Sequence, residues 1–216
     1  DLVRTVASQF GIESDLAAGP ALALGASEST LIEMTGAYAG ILNGGSAVTP
    51  YGLIDLRLLG DSEPMIGQGG GIRERVISEA AARQLTYMMA QVVANGTGRR
   101  AALEDRPVAG KTGTTSALRD AWFVGFTADY VAGVWIGYDD NRSLSGITGG
   151  GLPAEIWRQT MERVHDGLPP RPLPMIDPVA EARPPEEPQG IRLPGNEPGE
   201  PDQGLGGFLR QLLGGN

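Results

Sequence analysis

The chain has 216 residues, 41% of them hydrophobic, and its 17 basic against 26 acidic side chains give a formal net charge of −9. With no basic patch or basic helix, this balance argues against a nucleic-acid partner. Lack of cysteine excludes disulfides and thiolate metal sites, and no apolar run approaches the ~18–20 residues of a membrane span.

Residues 1 to 10 read as a short helix, with Val3, Val6, Ala7 and Phe10 at helical spacing and Gly11 as the stop. Leu22 to Gly25 reads as an apolar connection. Thr30 and Glu33 form a capping box that opens a helix whose apolar face is Leu31, Met34, Tyr38, Ile41 and Leu42, ended by Asn43-Gly44-Gly45. Residues 47 to 58 read as extended, forming a small hairpin with the segment before Arg75. Gly67 to Gly71 lacks the strand and helix that a dinucleotide fingerprint needs, and is expected to be a turn. Ser78 caps a further helix with Leu85, Met88, Met89, Val92 and Val93 on its buried stripe, closed by Asn95-Gly96.

The most informative stretch is Ala109-Gly110-Lys111-Thr112-Gly113-Thr114-Thr115, which holds the only lysine in the chain. On a strand, Thr112 and Thr114 share one face and Lys111 and Gly113 the other. One ammonium and two hydroxyls suit a carboxylate, and Gly113 lets another backbone approach closely. A phosphate-binding loop is the rival reading of Gly-Lys-Thr. It requires a glycine at position 105, where Asp105 stands, and a helix after the motif, where strands are expected.

Three strands are expected over 108–115, 121–127 and 131–138, the last two joined as a hairpin by Ala128-Asp129-Tyr130. Large residues on both faces of the middle strand (Trp122, Val124 and Phe126 against Phe123) imply helices on both sides of the sheet. Asp139-Asp140-Asn141 lacks calcium-loop spacing and reads as a turn. Pro153 starts a last helix with Trp157, Met161 and Val164 buried; His165 in its final turn is assigned an interaction with the helix dipole. Beyond it, 11 of the 16 prolines fall between Pro169 and Pro201, among mostly acidic charges. Residues 167–216 are therefore expected to be a disordered acidic tail, and residues 1–166 the folded part.

At these residues the sequence resembles the penicillin-binding transpeptidases, in which Lys-Thr-Gly is the third active-site motif. The segments 120–126 (Asp-Ala-Trp-Phe-Val-Gly-Phe), 134–140 (Val-Trp-Ile-Gly-Tyr-Asp-Asp) and 148–153 (Thr-Gly-Gly-Gly-Leu-Pro) are similar to the bifunctional class A members of the penicillin-binding protein 1A kind. The likeness covers about residues 1 to 166. It implies an α+β fold, an antiparallel sheet flanked by helices on both faces. The implied activity is cross-linking of peptidoglycan stem peptides through an acyl-serine, without a cofactor or metal, and with β-lactams as inhibitors. It also implies a periplasmic domain held at the bacterial inner membrane and an upstream glycosyltransferase domain. Carried over by position, Lys111 serves the proton network and the substrate carboxylate, Thr112 and Thr114 bind that carboxylate, Gly113 leaves room for the serine-bearing helix, and the Thr114 N–H is an oxyanion donor.

The first two family motifs are missing. The residue three before Lys111 is Val108, so there is no Ser-x-x-Lys, and no serine is followed two residues later by asparagine. The chain is therefore expected to be the carboxyl-terminal part of a longer transpeptidase, inactive alone, whose sheet lacks its first two strands. Its partner would then be the missing amino-terminal half of the same domain, and residues 131–138 would present an apolar edge. Rival expectations are a non-catalytic carboxylate-binding scaffold, or part of a serine β-lactamase or class B relative.

Overall fold

A computed structural model of the protein describes residues 2–67 and 69–177. In chain order the elements are α1 (Leu2–Gln9), α2 (Leu31–Leu42), β1 (Ser46–Thr49), β2 (Gly71–Arg75), α3 (Glu79–Ala94), β3 (Ala109–Thr114), β4 (Asp120–Phe126), β5 (Val131–Gly137) and α4 (Leu152–Val164). They build an antiparallel two-stranded hairpin, β1-β2, and an antiparallel three-stranded sheet in the order β3-β4-β5.

Register explains why this sheet needs cover on both sides. Opposed residues share a face, so the pairs Ala109↔Phe126, Phe126↔Val131 and Lys111↔Val124 line one side and Thr112↔Phe123 and Phe123↔Val134 the other. On the first side Phe126 and Ala109 pack with Met89, Leu173 and the α2 residues Tyr38, Ile41 and Leu42. On the second, Phe123 packs with Val93, Ala154, Trp157 and Met161. The Phe123 ring lies across the glycine pair Gly110↔Gly125, where a Cβ at Gly110 would stand 2.7 Å from its Cζ. Its ring centroid is 5.3 Å from that of Trp157, edge to face, and the Trp157 indole donates to the Ala132 carbonyl at 3.0 Å. The expected layering of helices on both faces of an antiparallel sheet is the observed fold.

Several local expectations shift. The β1 ladder stops before Pro50, which has no N–H to donate, and residues 53–66 make only an isolated bridge between Leu56 and Ile66. The buried stripe of α3 is Ala82, Thr86, Met89 and Val93. Met88 lies roughly 100° around the helix from Met89 and is 54% exposed. His165 caps α4 and is 4% exposed. Its Nδ1 lies 2.7 Å from the Met161 carbonyl, which only accepts, so Nδ1 carries the proton; Nε2 meets Thr127 Oγ1 at 2.8 Å. That threonine also accepts the N–H groups of Asp129 and Tyr130, so this histidine anchors the β4–β5 turn. Its interactions extend beyond the helix dipole.

The boundary expected after residue 166 also moves. Arg106 is buried and donates to Asp105 and to the Leu168 carbonyl; Arg171 pairs with Asp129 at 2.7 Å, and Leu173 enters the core beside Phe126. Residues 167–177 therefore continue on the fold. The rest of the expected tail, residues 178–216, lies outside the described residues.

The capping box of α2 forms as expected and gathers a wider set of donors. The Glu33 carboxylate accepts from the N–H groups of Glu13, Ser14 and Thr30 and from the hydroxyls of Ser14, Ser29 and Thr30, at 2.6 to 3.0 Å. These donors, the Ser14 hydroxyl foremost, hold its pKa well below the ordinary carboxylate range. A carboxyl depressed in the folded state stabilises the fold above its unfolded pKa of ~4.3, and this contribution is lost as pH falls below that value. Glu33→Ala is expected to lower stability by about 2–3 kcal/mol at neutral pH. Melts of wild type and variant should converge as pH is taken below about 4. A pH-independent gap would place the effect in packing.

Candidate active site

The Lys-Thr-Gly stretch occupies β3, an outer strand of the sheet, bonded on one side to β4 and without a strand neighbour on the other among the described residues. Three features converge at its free edge. The Lys111 side chain rises on the face of Val124 and returns its ammonium to the Thr112 carbonyl at 2.9 Å; it is exposed, and among the described residues it pairs with no carboxylate. Two of its three protons are thus open to a ligand.

The second feature is the backbone. The N–H of Thr115 donates to the Asp120 carbonyl at 3.1 Å across the β4 side. Because N–H directions alternate along a strand, the N–H of Thr114 points to the free edge.

The third is a group of hydroxyls on the opposite face from Lys111. Thr114 Oγ1 accepts the Gly149 N–H at 3.0 Å and keeps its own proton, and Thr112 Oγ1 lies 2.7 Å from Thr97 Oγ1. Thr97 belongs to the α3–β3 loop and was not singled out in the sequence, because a lone hydroxyl between two glycines carries no signal without its spatial neighbour. Gly113 faces the same way as Lys111, and a Cβ there would stand 3.1 Å from Trp122 Cβ. Sequence reasoning thus anticipates Lys111, Thr112, Gly113 and Thr114 on their respective faces, misses Thr97, and includes Gly149 in a family-like segment without giving it a role in the site.

What holds the edge in place is the loop between β5 and α4. Leu144 is buried and donates its N–H to the Leu118 carbonyl at 2.7 Å, tying that loop to the β3–β4 turn, where Leu118 adopts a left-handed φ of 51°. Gly149 then lies flat on the sheet. A Cβ there would collide with the backbone oxygens of Gly113 and Trp122 and come within 2.8 Å of Gly113 N, and one at Gly150 would collide with the Thr97 carbonyl. The Thr-Gly-Gly-Gly segment wedges between the motif strand and the α3–β3 loop because it has no side chains to get in the way.

Comparison with known proteins identifies the family and the fold. A family model described as penicillin binding protein transpeptidase domain matches residues 7–162. Penicillin-binding protein 1A of Aquifex aeolicus (strain VF5) is 36% identical over 165 residues, which are 76% of this chain and 22% of that protein. The crystal structure of Penicillin-Binding Protein 1A from Haemophilus influenzae superposes with a TM-score of 0.68 at 27% identity, covering 79% of this chain and 32% of that one. The PonA1 protein of Mycobacterium tuberculosis, solved in complex with penicillin V, gives a TM-score of 0.62 at 26% identity over 79% of this chain and 51% of that one. The chain thus spans less than a quarter of the Aquifex protein's length. A motif strand at the edge of the sheet, a core cluster on each of its faces, and a family match running from α1 into α4 lead to one conclusion: this chain belongs to the penicillin-binding protein transpeptidase domain family.

Proposed function

We propose that this chain is the carboxyl-terminal part of a class A transpeptidase domain that cross-links peptidoglycan stem peptides. The observation that carries the reading is the meeting of the Lys111 ammonium, the Thr112 and Thr114 hydroxyls and the outward Thr114 N–H at one open strand edge. Charge-assisted hydrogen bonds are worth about 1.5–3 kcal/mol each, enough for Lys111 and the two threonines to fix the carboxylate of a terminal D-alanine. A serine supplied from outside this sequence attacks the preceding carbonyl carbon. Its proton passes through basic groups beside it to the departing amine, and D-alanine leaves as the acyl-serine forms. An amine of a neighbouring stem then attacks the ester, loses a proton and regenerates the serine. In both steps the Thr114 N–H would meet the developing oxyanion, a role worth about 3–4 kcal/mol of barrier for one donor.

β-Lactams would acylate the same serine, in keeping with the penicillin V complex of the Mycobacterium relative. Among the described residues no helix is long and apolar enough to cross a membrane. An anchor and a glycosyltransferase domain outside this sequence would place the protein on the periplasmic face of the inner membrane. The missing amino-terminal half of the domain would supply the strands that pair with β5, which forms the other edge of the sheet and has no fully buried position.

Labelled penicillin tests the reading directly. No acylation is expected of the 216-residue chain, and stoichiometric acylation of a chain extended to carry Ser-x-x-Lys and Ser-x-Asn. Label on the shorter chain would overturn the motif assignment. An upstream sequence without Ser-x-x-Lys would instead make this a carboxylate-binding scaffold.

A further inference from the structure

We propose that Thr97 is a positioning residue for the substrate's carboxylate, acting through Thr112: it donates to Thr112 Oγ1 and thereby turns the Thr112 proton toward the ligand. This rests on the carboxylate site proposed above. The two hydroxyl oxygens lie 2.7 Å apart although 15 residues separate them in the chain. Each hydroxyl has one proton, so within the pair one donates and the other keeps its proton free. A carboxylate only accepts. Once it occupies the β3 edge, Thr112 must give it a proton, and Thr112 Oγ1 is then left to accept from Thr97. The ligand thus selects the direction Thr97 to Thr112 to carboxylate, and a hydroxyl that accepts one hydrogen bond donates a stronger one.

Thr97 is held well enough to play this part. The N–H groups on either side of it, those of Gly96 and Gly98, both donate to the Val92 carbonyl at the end of α3, at 3.1 and 2.9 Å. Its own carbonyl is packed against Gly150, too closely for any side chain there. Among the described residues its hydroxyl has no hydrogen-bond partner other than Thr112. A purely structural tie between loop and strand would have the same geometry, so the test must read the ligand.

In the full-length protein, stopped-flow acylation by a labelled penicillin separates the noncovalent dissociation constant from the acylation rate constant. Thr97→Val is expected to raise the dissociation constant about fivefold, the equivalent of one neutral hydrogen bond, with the rate constant unchanged. Thr97→Ser should restore it, and Thr97→Ala should repeat the loss if valine crowds the loop. In a Thr112→Val background, Thr97→Val should add nothing, and a penicillin methyl ester should bind wild type and Thr97→Val alike. An effect under twofold, an equal loss in the Thr112→Val background, or an equal loss with the ester overturns the proposal. If Thr112→Val itself leaves penicillin binding unchanged, the carboxylate reading fails. If Thr112→Val weakens binding and Thr97→Val does not, only the role of Thr97 fails. A full-length protein that takes no label removes both.

Discussion

Gly149→Ala in the full-length protein is expected to reduce the second-order rate constant for acylation by labelled penicillin about 100-fold while leaving the fold intact. A Cβ at this position collides with the backbone oxygens of Gly113 and Trp122, one on each of two paired strands. Neither is the far end of a flexible side chain, so β3 or the loop must give way, by on the order of 1 Å. Misplacement of that size at a reacting centre typically costs about 100-fold in rate. The same shift strains the Gly149 N–H bond to Thr114 Oγ1, and with it the direction in which that hydroxyl and the neighbouring Thr114 N–H are aimed. Circular dichroism and a near-wild-type melting temperature would show the domain still folded. An alanine variant acylated within threefold of wild type would mean that the wedge is soft and the strand is held elsewhere.

Trp157→Ala is expected to produce the largest loss of stability, about 3–5 kcal/mol, the usual cost of deleting a buried aromatic. Trp157 is fully buried in the cluster of Phe123, Val93, Ala154 and Met161 and donates to the Ala132 carbonyl on β5. Truncation opens a cavity beneath the middle strand and leaves that carbonyl without its indole partner. At about 2–4 °C per kcal/mol for a domain of this size, the transition should fall by about 6–20 °C. Trp157→Phe, which fills most of the volume without the N–H, should recover more than half of the loss. A variant with the wild-type midpoint would show that α4 is not what holds the second face of the sheet. In the full-length protein acylation should fall with the folded fraction only, since the indole's partners, the Phe123 ring and the Ala132 carbonyl, are not candidate site groups.

Local chemistry was legible wherever neighbours in sequence are neighbours in space. Thr30 and Glu33 fix the start of α2 because the reciprocal cap spans three residues. Ser78 opens α3 by accepting the Ala81 N–H, and Asn95 closes it with its own N–H on the Gln91 carbonyl. Alternation along β3 places Lys111 and the two threonines on opposite faces in any structure where the segment is a strand. Their spacing, together with the Asp-Ala-Trp-Phe-Val-Gly and Thr-Gly-Gly-Gly segments, is enough to suggest the family from sequence.

The tertiary structure decided what depends on contacts between distant segments. Glu33 proved to be a junction for residues 13 to 30 as well as a cap, because the turn after α1 folds back over it. His165 became the anchor of a turn 38 residues away. Residues 167–177, proline-rich enough to read as tail, stay on the fold because Arg106 and Asp129 offer them partners and Phe126 offers Leu173 a place in the core. Composition records the average entropy cost of ordering such a segment, and a few long-range contacts offset it. Thr97 and Gly149 matter for the same reason. A hydroxyl and a missing side chain acquire meaning only when the chain brings them against the strand that carries Lys111.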